Sequence, residues 1–260
     1  MKKTLFKRAM ICCLALFTVT AAMTACGSGK DSASSGKDAG NQTPFSSIAG
    51  TWLETELETI TAMSIEEDGT YSVIYSSGAV DKGTIKMENE EHPDGTSEEW
   101  FFFYDEYDEF WAGFPNNAEY AKNPPDELWS GQDGEMHFTR VKSTPNPTAD
   151  DYLGTWLSGR CSIDISENKG AYLVEIRWSG SASEYSEWNY SCTYDKDSAS
   201  LICDGKGTLV NHVVNEDGKD KKTTVYQDGS ASFKLKNALL RWSDEKEKAS
   251  DEMLFLRPQD

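Results

Sequence analysis

Histidine is scarce in this chain, and its scarcity removes whole classes of chemistry. Only His92, His137 and His212 occur among 260 residues. There is no His-Glu-x-x-His pair, no Gly-x-Ser-x-Gly elbow and no glycine-rich loop to cradle phosphate. Paired carboxylates abound, but among so many acidic residues a pair at any spacing is expected and assigns nothing. No catalytic residue and no cofactor is therefore expected. Cys-x-x-Cys is also missing, which excludes a zinc ribbon or a thioredoxin-like motif, and no metal site is expected. Basic residues are in deficit, 25 Lys and Arg against 44 Asp and Glu, a net charge of −19. A surface of that sign repels phosphate backbones, so nucleic acid is not an expected partner. Finally, the apolar run AMICCLALFTVTAA (9–22) stops short of the ~20 residues that span a bilayer.

That short run has a different use. Lys2, Lys3, Lys7 and Arg8 precede it, and Met23-Thr24-Ala25-Cys26 follows it. A basic start, an apolar middle and small residues at the end make a signal peptide over 1–25. The tetrapeptide resembles the lipobox of bacterial lipoproteins, although that family usually has Leu where Met23 stands. The resemblance implies a diacylglyceryl thioether on Cys26, which becomes the mature N-terminus at the extracytoplasmic face of the cell membrane. The alternative is an ordinary secretory signal with an incidental Cys26. Residues 26–44, rich in Gly, Ser, Ala and charge, have no apolar period and read as a flexible tether. Loss of 1–25 leaves 21 basic against 44 acidic residues, a charge of −23.

Beyond the tether the chain repeats itself. AGTWL (49–53) returns as LGTWL (153–157), and each copy continues with strand-like segments, TAMSIEEDGTYSVIY (61–75) and CSIDISENKGAYLVEIRW (161–178). Each also ends alike, in LWSGQDGEMHFTR (128–140) and LRWSDEKEKASDEMLFLR (240–257). Matching openings and endings in the same order indicate two tandem domains, 45–142 and 150–260, about 95 and about 110 residues of folded chain. The joint STPNPTA (143–149) reads as a stiff exposed linker.

Within each copy the apolar period is two. Tyr172, Val174, Ile176 and Trp178 share one face, while Glu175 and Arg177 take the other. Asp-Gly pairs at 68, 94, 133, 204, 217 and 228 punctuate the runs as expected turns. Many short antiparallel strands in a domain near 100 residues mean an all-β fold, a small barrel or a sandwich; closure of a barrel removes exposed edges. Gly50-Thr51-Trp52 and Gly154-Thr155-Trp156 resemble the Gly-x-Trp motif that opens lipocalins and lipocalin-like domains. The resemblance implies up-and-down antiparallel barrels in which Trp52 and Trp156 plug the closed end. It also implies Arg140 and Arg257, near the end of each copy, as the residues packed over those indoles.

Three features remain as candidate sites. In a hairpin centred between Asp197 and Ser198, Cys192 and Cys203 fall opposite each other. A cross-strand disulfide with Cys161 free is one reading, and three buried thiols the other. Trp178, Trp188 and Tyr190 face inward and are candidates to line a ligand pocket, with core filling as the alternative. EEWFFFYDEYDEFW (98–111) is apolar on both faces of its strand and then acidic. The strand is either central to two packed layers or half of a sticky aromatic surface. The acidic stretch reads first as a turn, with a recognition patch for a cationic partner as the alternative, and it lacks the spacing of a calcium-binding EF-hand. The expectation is a non-catalytic, membrane-anchored binding protein, for a small apolar ligand held in a barrel. The alternative is a protein-interaction or envelope-assembly module using the aromatic and acidic surface. An extracytoplasmic hydrolase would need a polar cleft that sequence does not display.

Overall fold

The alternating patterns become strands throughout. The computed structural model describes residues 43–258 except 118, 121 and 131–135. The expected signal peptide, the lipidation of Cys26 and nearly all of the expected tether lie outside the described residues. The first sheet contains β1 (Gly50–Glu54), β2 (Ile60–Ile65), β3 (Thr70–Tyr75), β4 (Val80–Glu91), β5 (Ser97–Asp105), β6 (Phe110–Pro115), β7 (Glu127–Ser130) and β8 (Met136–Arg140). The second contains β9 (Gly154–Ser158), β10 (Cys161–Asn168), β11 (Ala171–Ser179), β12 (Glu184–Asp195), β13 (Ser200–Val214), β14 (Asp220–Lys236), β15 (Leu239–Asp244) and β16 (Leu254–Phe255). All neighbours are antiparallel, in the orders β6-β5-β4-β3-β2-β1-β8-β7 and β16-β15-β14-β13-β12-β11-β10-β9. The protein is all-β, with two tandem eight-stranded up-and-down barrels.

The two barrels close differently. In the second, β9 and β16 meet through a bridge between Leu157 and Leu256, with reciprocal backbone hydrogen bonds of 2.8 and 3.0 Å. In the first, β8 returns to pair with β1, so Trp52 faces Arg140, and the unpaired seam falls between β6 and β7. A strand at such a seam keeps one row of backbone donors and acceptors without a ladder.

Inward residues fill both interiors. The first core holds Trp52, Phe101, Phe103, Phe114 and Phe138, all fully buried. Phe103 meets Phe114 edge-on at 5.1 Å between centroids, and Phe114 meets Phe138 at 5.9 Å. The second core holds Trp156, Trp188, Tyr190, Phe233 and Trp242. Edge-to-face aromatic contacts of this kind match the ring quadrupoles.

Two Asp-Gly pairs expected as turns are not turns. Asp204-Gly205 and Asp228-Gly229 lie inside β13 and β14, where the pairing register shifts between Cys203 and Gly207 and again before Leu209. Tertiary packing explains this. A Cβ at Gly207 would run into the ring of Tyr190, and one at Gly229 would come within 2.6 Å of the ring of Tyr226. The glycines sit in irregular strand so that two tyrosines can lie against the backbone. Asp68-Gly69, Asp94-Gly95 and Asp217-Gly218 do lie between consecutive strands, with glycine φ of 83°, 82° and 73°. Asp133-Gly134 lies outside the described residues.

The barrels pack on each other. Ala62 and Ile74 of the first join Leu239, Leu254 and Leu256 of the second in a buried apolar cluster. Beside it the Glu66 carboxylate receives Lys236 Nζ at 2.6 Å and Arg241 Nη2 at 3.2 Å. Thr51 Oγ1 donates to the Asn237 carbonyl across the same contact.

Candidate functional site

The repeated pentapeptide builds the same device twice. Trp52 Nε1 donates to the Ile48 carbonyl at 2.9 Å, and Trp156 Nε1 to the Tyr152 carbonyl at 2.9 Å, each four residues upstream. The Arg140 guanidinium carbon lies 4.1 Å from the Trp52 ring centroid, and that of Arg257 lies 4.2 Å from Trp156. Arg140 also donates to the carbonyls of Ser47, Ala49 and Pro125, each at 2.7 Å. Arg257 donates to Asp151 and Leu153 at 2.6 and 2.9 Å. Gly50 and Gly154 have φ of 135° and 105°, and a Cβ on either would sit 3.1 Å from the arginine Nη1. These residues hold each barrel end together and leave no face for a ligand.

Of the three candidate pocket aromatics, Trp188 and Tyr190 lie in the core at 2% and 3% exposure. Trp188 abuts Trp242 edge-on at 5.2 Å. The Tyr190 hydroxyl donates to Asp244 Oδ2, which also accepts from Tyr226 at 3.2 Å. Asp244 Oδ1 accepts the backbone N–H groups of Lys246 and Glu247 at 2.6 and 3.0 Å. Burial, then the bond to Asp244, pushes the Tyr190 phenol far above its ordinary range. Burial pushes that of Tyr226 up to about 12. Trp178 is different. It is half-buried and borders two clefts, one at the mouth of the second barrel and one between the barrels.

The thiols are placed just as clearly. Tyr194 pairs with Leu201, and Cys192 and Cys203 form a disulfide with Cα atoms 4.3 Å apart. Cys161 is a buried free thiol, pushed up to about 12 by desolvation, which leaves it protonated and unreactive at neutral pH. Each histidine sits in a local pairing. His137 stacks on Trp129 at 3.6 Å, His92 approaches Glu98 at 3.6 Å, and His212 Nδ1 lies 2.8 Å from Asp220.

The outer face of β4, β5 and β6 is where exposed aromatic surface gathers. Phe101 and Phe103 point into the barrel, so Trp100, Phe102 and Tyr104 point out, each half-buried. On β6, Phe110 pairs with Tyr104 and Gly113 with Phe102. Trp100 and Phe102 lie 6.2 Å apart with planes 22° from parallel, and Phe110 sits 6.0 Å from Phe102 and 6.3 Å from Tyr104. Gly113 lies beneath two of these rings. A Cβ there would touch both Trp100 and Phe102 at 3.4–3.5 Å. Tyr107 and Phe110 are 76% and 58% exposed.

Acidic residues rim this platform. Glu88 pairs with Trp100 and Glu90 with Glu98, while the turn carries Asp105, Glu106, Asp108 and Glu109. Asp105 Oδ1 accepts the N–H groups of Tyr107 and Glu109, both at 2.9 Å, so the turn is held by its own carboxylate. Lys86 Nζ lies 4.2 Å over the Tyr104 ring and 2.7 Å from Asp108, whose hydrogen bond holds the ammonium above its usual range. One cation already sits on this face. Among the described residues β6 has no ladder partner on its other side.

No family model, curated protein or solved structure matches this chain. Sequence reading had no access to the Tyr190–Asp244–Tyr226 network or to the cleft between the barrels, because both join strands far apart in the chain.

Proposed function

We propose that this protein is a lipid-anchored, extracytoplasmic binding protein without catalytic activity. Its first barrel presents the aromatic and acidic face of β4–β6 to a cationic protein of the cell envelope. The observation that carries this reading is the outward platform of Trp100, Phe102, Tyr104 and Phe110, ringed by carboxylates and already bearing the Lys86 ammonium. Exposed aromatic surface of this kind marks interaction sites. A Lys or Arg side chain gains about 0.5–2 kcal/mol over such a ring. The acidic rim adds long-range attraction for a basic partner.

An apolar ligand inside a barrel has less support, since Trp188 and Tyr190 are committed to core contacts. Lipocalin-like ancestry is part of the same proposal, supported by the Gly-x-Trp opening and arginine-capped indole in each copy. Anchoring rests on the lipobox resemblance at Cys26, which gives the membrane as the other partner.

A Lys/Arg-rich peptide titrated by calorimetry tests the face. Phe110→Ala with Tyr107→Ala should weaken binding about tenfold, and rising salt should weaken it further. Equal affinity in the double variant, or equal binding of an acidic peptide, would remove the reading. Cys26→Ser should abolish lipid labelling and release the protein into soluble fractions. Unchanged membrane association would count against the anchor.

A further inference from the structure

We infer that the cleft between the two barrels is a binding site for a short zwitterion, an apolar dipeptide or amino acid with free amino and carboxyl termini. The cleft encloses about 340 Å³. That lies near the lower end of small-molecule sites and suits a dipeptide-sized guest. Val80 comes from the first barrel, while Ser158, Arg160, Trp178, Glu252 and Met253 come from the second. Sites at the junction of two domains are common because neither surface closes alone.

Three features of the lining point to this ligand class. Ser158 is 4% exposed with its hydroxyl oxygen closed off from solvent, so it forms wall rather than a contact for a guest. Arg160 commits Nη1 to the Gly180 carbonyl at 2.9 Å. That bond fixes a guanidinium with further donors suited to a carboxylate. Glu252 brings the opposite charge, and neither it nor Arg160 enters an ion pair among the described residues. Trp178, Val80 and Met253 provide apolar surface alongside. A carboxylate on Arg160, an ammonium on Glu252 and an aliphatic side chain on Trp178 use each part once. The strongly acidic chain would repel a simple anion, whereas a zwitterion carries no net charge to be repelled.

The walls are fixed in advance. Gly78, in the turn between β3 and β4, lies against Gly159, between β9 and β10. A Cβ at Gly159 would overlap the Ser77 carbonyl. The ion pairs of Glu66 hold the same barrel-to-barrel contact. A preformed site loses little on binding to ordering of its own side chains.

The test is titration of the full chain in detergent with Leu-Leu, read by tryptophan fluorescence and by thermal shift. N-acetyl-Leu-Leu and Leu-Leu-amide serve as capped probes. Leu-Leu should quench fluorescence and raise the melting temperature, and capping either end should weaken binding about tenfold. Arg160→Gln and Glu252→Gln, both at exposed positions, should each weaken Leu-Leu binding about tenfold while circular dichroism stays unchanged. Phe110→Ala should leave Leu-Leu binding alone, which separates this site from the aromatic face. The inference is overturned if Leu-Leu and free leucine both fail to bind at millimolar concentration. It is equally overturned if capped probes bind as well as Leu-Leu, or if both charge variants retain full affinity.

Discussion

At the scale of single residues, the glycines of the two pentapeptides carry the clearest constraint. Gly50 and Gly154 combine positive φ with an arginine at van der Waals distance, so any side chain there meets both strain and a clash. Gly50→Ala should cost about 1–3 kcal/mol, read from the urea midpoint. Arg140→Met should cost about 2–4 kcal/mol, since it removes a ring contact and three bonds to carbonyls. Arg257→Met should cost less, because Arg257 is the more exposed of the two. Titration of Tyr226 gives a pH signature. Its phenol rises from 10.0 to about 12 on folding, so the folded chain keeps a proton that the unfolded chain releases. The stabilisation is complete below pH ~10 and is lost as pH climbs through ~12. Melting temperature followed from neutral to alkaline pH should fall across that window, and Tyr226→Phe should lessen the fall. Tyr75 and Cys161, also pushed up to about 12, contribute to the same fall.

At the scale of elements, period-two alternation was legible because a strand's facing depends only on neighbours in the chain. Val174 and Ile176 are fully buried and Glu175 and Arg177 exposed, as the spacing alone requires. The bulges were not legible. Asp204-Gly205 has the composition of a turn yet sits at a register shift inside β13, next to Gly207 with the Tyr190 ring against it. The same long strands carry the bond between Cys192 and Cys203. Closing a loop of about a dozen residues restricts the unfolded chain by about 3 kcal/mol. The double variant Cys192→Ala/Cys203→Ala should lower stability by about 2–3 kcal/mol in urea unfolding. Dithiothreitol should have no further effect on it, since Cys161 remains a thiol in both states.

At the scale of the whole molecule, the contact between barrels decides how the chain unfolds. Ala62, Ile74, Leu239, Leu254 and Leu256 are buried together where the two barrels meet. Each barrel should therefore be stabilised by the other, and calorimetry should show one coupled transition. Gly159→Val pushes a side chain into the Ser77 carbonyl, so it should separate that endotherm into two. Persistence of a single transition in the variant would mean that the barrels do not depend on this contact. The unequal closure matters at the same scale. The second barrel is sealed by the Leu157–Leu256 bridge, while the first keeps its seam next to the aromatic platform.

The sequence by itself determined the strands, their inward faces, the number of domains and the start of each barrel. Those follow from alternation and from a motif that works within a few residues of itself. Tertiary structure alone decided that Phe110 joins the outward aromatics of β5, that Trp188 and Tyr190 belong to the core, and that a cleft opens between the barrels. The hydrogen bond from Thr51 to Asn237 joins residues 186 apart in the chain. No local pattern encodes such a meeting, because it depends on how two finished barrels settle against each other.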